Sequence, residues 1–380
     1  MSPAPYILGI ESSCDETAAA LVTREGRVRV SAVASQVDLH AKFGGVVPEV
    51  AARMHIQACL PLVEEAMNDA GAGWDDIEAV AVTSGPGLIG CLLVGLETAK
   101  TLAWMRDKPL VPVHHLAGHL YAIHLVPPKG AHQLMDRGEI FPALPLEPDS
   151  QDSGLRPQDS PRIAAPGYPH VGLIVSGGHT SLVWVEAPDK ITTIAQTRDD
   201  AVGEAYDKVA RVAGLGYPGG PVIDKLAAQG NPDEFTFTPP MMRRDRPDFS
   251  FSGLKTAVGR EFEKLQKEHP AGIPLEVVCD VCAGFQKAAV EALVGKALDA
   301  CAERGARDLV ISGGVACNRG LRERARLASA QRKMLRIWFP HPSVCTDNAA
   351  MIAGVGWKFK AVSPAEALAL NARATVSFKS

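Results

Sequence analysis

The sequence predicts an α/β protein of two similar lobes with a cleft between them. Three observations carry this expectation. The chain has 380 residues, which at roughly 100 to 200 residues per domain gives room for two cores. Strand-length apolar segments alternate with helix-length periodic ones, the arrangement of α/β folds that bind ligands at their strand ends. One pattern also occurs twice: an apolar strand, a small-residue turn containing serine, a Thr leading into a second strand, a turn, and a third strand.

The first copy runs YILGI, the turn Glu11 to Glu16, Thr17 with AAALV, and VRVSAVAS. Apolar spacing then predicts a helix from about Pro48 to Ala70, a strand AVAVTSG, a helix opening at Gly85-Pro86-Gly87, a short strand PLVPV, and a helix from His114 to His124. Residues 127–169 break every periodicity and are rich in Pro, Asp, Ser and Gly, so they read as a disordered-type insertion or interlobe linker without a catalytic role. The second copy runs VGLIV, Ser176-Gly177-Gly178-His179, Thr180 with SLVWVE, and ITTIAQT. It is followed by the helix AVGEAYDKVARVAG, the turn GLGYPGG, a long helix near Glu276 to Glu303, the strand DLVISGGV, a helix, the strand LRIWF, and a last helix from Asp347. The expected division is an N-terminal lobe over 1–126, a C-terminal lobe over 170–345, and a terminal segment over 346–380 packing back on the first lobe.

Composition narrows the function. Hydrophobic residues make up 46 % and charged residues 22 %, a globular mix that excludes global disorder, collagen and coiled coil. The longest apolar runs, such as Leu88 to Leu96, are broken by glycine and fall short of the roughly 20 residues a membrane helix needs. The N-terminal stretch MSPAPYILGIESSCDE has no basic region and turns acidic early, unlike a secretory signal, so a cytoplasmic protein is expected. Eight cysteines scattered through apolar patterns read as reduced, mostly buried thiols. A net charge of −4 gives no global basic field for nucleic acid, so any such contact needs a local patch or a partner protein.

Several motifs carry chemistry. In the turn Glu11-Ser12-Ser13-Cys14-Asp15-Glu16-Thr17, backbone N–H groups and hydroxyls can face an anion and Asp15 can orient a metal, water or amine; taken alone, an ordinary polar hairpin turn fits equally. Ser176-Gly177-Gly178-His179-Thr180 is the second such turn, where glycines let a phosphate approach the backbone. Ser312-Gly313-Gly314 repeats it after DLVI, with Asn318 opening the next helix, and turns at three strand ends together suggest a nucleotide. His115 and His119 stand at i and i+4, the spacing that lets both bind one metal; Asp347 is the best distant carboxylate by sequence context. Two histidines and a carboxylate suit iron(II) or zinc, although isolated pairs of this kind are commonly plain core or surface histidines, and His114, His124 and His132 are alternates.

A zinc-protease reading lacks its general base, because Leu116 follows the first histidine. Cys279 and Cys282 fall within a helix pattern and read as buried thiols. Asp207, with Glu204, Tyr206 and Lys208, can bond a ribose hydroxyl or belong to a solvated helix face, and Tyr217-Pro218-Gly219-Gly220-Pro221 with Asp224 supplies a rigid loop entering a helix, which a plain helix-start turn also explains. Basic residues cluster at Arg243, Arg244 and Arg246 and from Arg319 through Arg322, Arg324, Arg326, Arg332 and Lys333 to Arg336; a solvated helix face competes there with phosphate contact.

Taken together, GIESSCDET, SQVDLHAKFGGVVPEVAARMH, TSGPGL, PVHHLAGH, LIVSGGHTSLV, GEAYDKVARVAGLGYPGGP, FSFSGLKTA, ISGGVACN and CTDNAAMIA resemble the TsaD family over nearly the whole chain apart from residues 127–169. That resemblance implies the two-lobed actin-like, sugar-kinase and Hsp70-like ATPase fold. It also implies transfer of a threonylcarbamoyl group from threonylcarbamoyl-adenylate to the exocyclic amine of the adenosine beside the anticodon, in tRNAs reading codons that start with A, with release of AMP. By motif it places one divalent metal, iron(II) or zinc, on His115, His119 and Asp347, and Asp15 near the reacting amine. Ile174, Val175, Ser176, Gly177 and Gly178 would line the donor, Asp207, Gly220 and Asp224 its ribose side, and Asn318 its adenine. The implied partners are tRNA, a TsaB-like paralogue and a TsaE-like ATPase. The rival readings are an ATP-dependent kinase of the same fold, against which the histidine pair argues, and a non-catalytic nucleotide-binding scaffold, against which Asp15, His115, His119 and Asp347 argue.

Overall fold

The computed structural model describes residues 5–128, 139–141, 165–240, 247–332 and 334–378. Most of the proline-rich insertion, His132, the arginine cluster at 243–246 and Lys333 lie outside the described residues.

Strands β1 (Tyr6–Glu11), β2 (Glu16–Thr23) and β3 (Val28–Ser35) form an antiparallel meander in which Glu11 pairs with Ala18. The small residues of β2 are buried on both faces, whereas VRVSAVAS in β3 alternates apolar and polar as befits an edge strand with one wet face. After the short α1 (Val37–Ala41), α2 (Pro48–Ala70) opens on proline and ends at Gly71, whose φ of 62° is the left-handed cap that glycine adopts without strain. Then come β4 (Ile77–Gly85), α3 (Ile89–Met105) and β5 (Leu110–His114), which extend the sheet in parallel to the order β3-β2-β1-β4-β5. Helix α4 (His115–Tyr121) continues directly from β5; the helix expected to reach His124 tightens into a 3₁₀ turn over Ala122–His124.

The second sheet repeats the first. Strand β6 (Glu139–Phe141) precedes β7 (His170–Val175), β8 (Thr180–Ala187) and β9 (Lys190–Gln196), followed by α5 (Val202–Val212), α6 (Gly219–Ala227), α7 (Ser252–Glu268) and α8 (Leu275–Arg304). Strand β10 (Asp308–Ser312), α9 (Arg319–Gln331) and β11 (Arg336–Phe339) complete the order β6-β11-β10-β7-β8-β9. Apart from β6, strand order and direction match the first sheet: an antiparallel β7-β8-β9 meander with β10 and β11 added in parallel. Within 127–169, read from the sequence as a disordered-type insertion or interlobe linker, Glu139–Phe141 pairs antiparallel with β11 and covers its open edge.

The last helices, α10 (Ala349–Gly356) and α11 (Pro364–Ala367), return to the first lobe. Helix α10 is buried on every side and shares a core with Ile7, Ala18, Ala20 and Leu116. It sits so close to β1 that a Cβ added to Gly9 would lie 2.3 Å from the Ala349 carbonyl oxygen. Ile174, Val183 and Val185 of the second sheet join that same core, and a Cβ on Gly172 would meet Leu120 of α4 at 2.5 Å. Each fully buried Ile or Met side chain here contributes roughly 1.5–3 kcal/mol. The α4 helix is thereby wedged between the two sheets and has little freedom to turn its histidines.

Candidate active site

The one-turn spacing of His115 and His119 puts both imidazoles on one face of α4, ring centroids 4.7 Å apart and edge to face. Asp347 comes to them from the far end of the chain, in the turn that opens α10. Asn348 holds that turn: its Oδ1 accepts from Met351 N at 2.9 Å as the helix cap, and its Nδ2 donates to the Thr346 carbonyl at 2.7 Å. Asp347 itself precedes the helix rather than starting it, and its Oδ1 lies 3.5 Å from His115 Nε2 and 3.1 Å from His119 Nε2. One ligand atom from each of the three residues falls within 4.8 Å of the others.

These residues fit a divalent ion. His119 is fully buried, yet neither ring nitrogen has a hydrogen-bond partner, Nε2 having the Asp347 oxygen beside it at 3.1 Å as an ion-pair contact. A buried imidazole without partners is costly unless a ligand takes its lone pair. Charge points the same way. Burial alone would lower the His115 pKa, but Asp347 and Glu11 outweigh it and hold the group up at about 9. Burial would raise Asp347, and the histidines beside it instead hold it far below the usual carboxylate range. The pocket is thus short of positive charge, which a divalent cation supplies.

Glu11, the last residue of β1, is fully buried behind His115; the sequence motifs include it without giving it a role. His179 stands opposite, its ring 6.1 Å from that of His115; burial and the two neighbouring histidines push its pKa down to about 3, which keeps it neutral. Asp15 is nearly buried in the β1–β2 turn, and its neighbour Glu16 is pushed up to about 9 by burial and by the charges of Asp15 and Asp347. The turn is braced by His55, whose ring bridges Thr17 Oγ1 at 2.7 Å and the Cys14 carbonyl at 2.9 Å.

The expected donor-lining residues fall into three groups. In the first, the Ser176 amide and hydroxyl close the turn on His179, at 2.8 Å to its carbonyl and 3.1 Å to its amide, while Gly177 and Gly178 face open space. Ile174 and Val175 are fully buried β7 residues whose side chains belong to the core, so their backbone alone can line a ligand. In the second, Asp207 Oδ1 accepts from Gly219 N at 2.7 Å and Gly220 faces open space, so this carboxylate already holds the entry of α6. The third is a network that sequence reasoning did not find. Gln286 of α8 accepts from Asn318 Nδ2 at 2.7 Å and from Tyr206 OH at 3.3 Å and donates to Asp224 Oδ1 at 3.1 Å. The basic run over α9 and the start of β11 is largely engaged in ion pairs, Arg319 with Asp224, Arg324 with Glu291, Arg326 with Glu323 and Arg336 with Asp308.

Similar proteins share the fold and much of the sequence. Full-length HypF in its phosphate- and nucleotide-bound form shares the fold at a TM-score of 0.53 and 13 % identity, covering 97 % of this chain and 47 % of that one. Component A of the (R)-2-hydroxyglutaryl-CoA dehydratase of Acidaminococcus fermentans does so at 0.50 and 13 %, covering 96 % of this chain and all of that one, at 100 %. Among curated proteins, the tRNA N6-adenosine threonylcarbamoyltransferase of Staphylococcus carnosus is 45 % identical over 356 residues, 94 % of this chain and 91 % of its own. That of Clostridium perfringens is 46 % identical over 352 residues, covering 92 % and 91 %, and that of Staphylococcus aureus 41 % over 373 residues, covering 98 % and 97 %.

Fold and site together define the class, an actin-like ATPase-fold protein with a His-His-Asp group that could hold a metal ion. The chain belongs to the TsaD family, whose description is tRNA N6-adenosine threonylcarbamoyltransferase and whose model matches residues 27–135 and 159–354. It is a transferase that modifies tRNA adenosine.

Proposed function

We propose that the cleft binds threonylcarbamoyl-adenylate and that the chain transfers its threonylcarbamoyl group to the exocyclic N6 of the adenosine beside the anticodon, in tRNAs reading codons that start with A. The bond from N6 to the carbamoyl carbon forms, the bond from that carbon to the phosphate oxygen breaks, and AMP leaves as the anion. The observation that carries the reading is the His115, His119 and Asp347 group beside open glycine turns, within a chain whose relatives bear this activity in their names. Iron(II) or zinc held by those three residues would act as a Lewis acid on the acyl end.

The chain's own residues supply positioning. Asp15, on the turn next to the cluster, takes the proton that N6 loses. The Gly177 and Gly178 amides cradle the adenylate phosphate. Asp207, Gly220 and Asp224 meet the ribose, and Asn318, fixed by Gln286, meets the adenine. A TsaB-like paralogue and a TsaE-like ATPase assist an acidic chain in engaging tRNA in the cytoplasm. Exposed Ile56 and Leu60 on α2 and Ile89 and Leu93 on α3 form an apolar face suited to such a partner. No helix among the described residues is long and apolar enough to cross a membrane.

The test combines the protein and its partners with threonylcarbamoyl-adenylate and unmodified tRNA and looks for modified adenosine by mass spectrometry. Product from the wild-type chain and its loss in Asp15→Ala and His115→Ala are expected. Full product from metal-free His115→Ala would remove the metal assignment.

A further inference from the structure

We infer that Glu11 is a positioning residue for the metal: its carboxylate fixes His115 in the tautomer and ring orientation that present Nε2 to the ion. The inference rests on the reading of His115, His119 and Asp347 as the metal ligands. A ligating histidine needs its second nitrogen held by an acceptor, because that bond decides which nitrogen keeps the lone pair. His115 Nδ1 has Glu11 Oε2 at 3.1 Å and Ser13 Oγ at 3.2 Å. A carboxylate can only accept here, so it draws the Nδ1 proton toward itself and leaves Nε2 bare on the side of Asp347 Oδ1.

The carboxylate is itself immobilised. Glu11 has no exposed surface; its Oε1 accepts from Ser13 N at 2.5 Å, and its Oε2 accepts from Thr83 Oγ1 at 2.6 Å. Thr83 belongs to β4, the parallel neighbour of β1, so two strands and the intervening turn hold one side chain in place. His119 has nothing comparable, since its Nδ1 has no partner. Orientation of the histidine pair therefore enters the site through Glu11 and His115. A carboxylate buried merely to close the turn between β1 and β2 would not need to face the imidazole, and its replacement would leave the metal unaffected.

The test uses full-length protein stripped of metal and titrated with cobalt(II) against a competing chelator, with the visible absorption of the bound ion recorded. In Glu11→Gln the affinity is expected to fall about 10- to 100-fold, the range typical of such supporting carboxylates, with a changed cobalt spectrum. Thr83→Val, which frees one oxygen of Glu11 without touching the histidine, should shift both in the same direction by less. In the transfer assay kcat should fall in Glu11→Gln while KM for the donor stays near wild type. Wild-type affinity and spectrum in a folded Glu11→Gln would overturn the inference, and so would a Thr83→Val spectrum that moves while that of Glu11→Gln does not. His119→Ala separates the two levels: if it binds cobalt(II) as tightly as the wild type, the ligand assignment itself is wrong and Glu11 falls with it.

Discussion

Gln286 shows how much one side chain can govern. Its amide connects Asn318, Tyr206 and Asp224, three groups on three different helices, two of them expected to touch the donor. Replacing it with Leu would keep the volume and strand the polar atoms of Asn318 and Tyr206 in a buried site, each such loss costing about 1–3 kcal/mol. Gln286→Leu should therefore lower the urea midpoint and also raise KM for the adenylate donor, two readouts that denaturation and steady-state kinetics separate. Neither the role of Gln286 nor that of Glu11, which stands in a turn the motifs include, was legible in the sequence. Glu11 and His115 are 104 positions apart, and Gln286 and Asn318 are 32 apart, separations at which no local spacing links them. The histidine pair was legible because helical periodicity alone places i and i+4 together. For the basic run from Arg319 to Arg336 the sequence left a solvated face and phosphate contact open, because acidic partners such as Glu291 for Arg324 and Asp308 for Arg336 lie on other elements.

At the scale of elements, the repeated meander was readable because strands buried on both faces leave near-continuous apolar runs, and the same run-turn-run order appears twice. Strand β6 was not readable: three residues within a polar stretch acquire their conformation from the free edge of β11 rather than from a pattern of their own. The seat of α10 depends on an absence, the missing side chain of Gly9. In Gly9→Ala the new methyl would stand 2.3 Å from the Ala349 carbonyl and 2.9 Å from the Ala353 Cβ, so α10 must move and carry the Asp347 turn with it. The expected outcome is a loss of about 1–3 kcal/mol in urea unfolding together with weaker metal retention. Gly253→Ala in α7, where nothing stands within 4 Å of the new methyl, serves as the control and should not destabilise.

Across the whole molecule, the join between the lobes includes His124, a histidine that burial keeps neutral. His124 follows α4, bonds the Tyr168 hydroxyl at 3.2 Å beside the start of β7, and has its pKa pulled down to about 4 by burial and then by His170 and Lys358. In the unfolded chain the same group titrates near 6.5. Its contribution to stability is thus present above pH 6.5 and is lost as the pH falls towards 4, because the unfolded state takes up the proton first. Urea midpoints measured from pH 7 down to pH 4.5 should decline through this window, with a shallower slope in His124→Gln. The same architecture has a consequence for how the protein is made. The histidines are in place once α4 exists, whereas their carboxylate partner emerges more than two hundred residues later, roughly 10–50 s at ordinary rates of synthesis. Through that interval the nascent first lobe carries a half-built ligand set and an open groove over Gly9. Completion of the site waits for the synthesis of Asp347, and a chain terminated before it can display both imidazoles yet never assemble the centre they belong to.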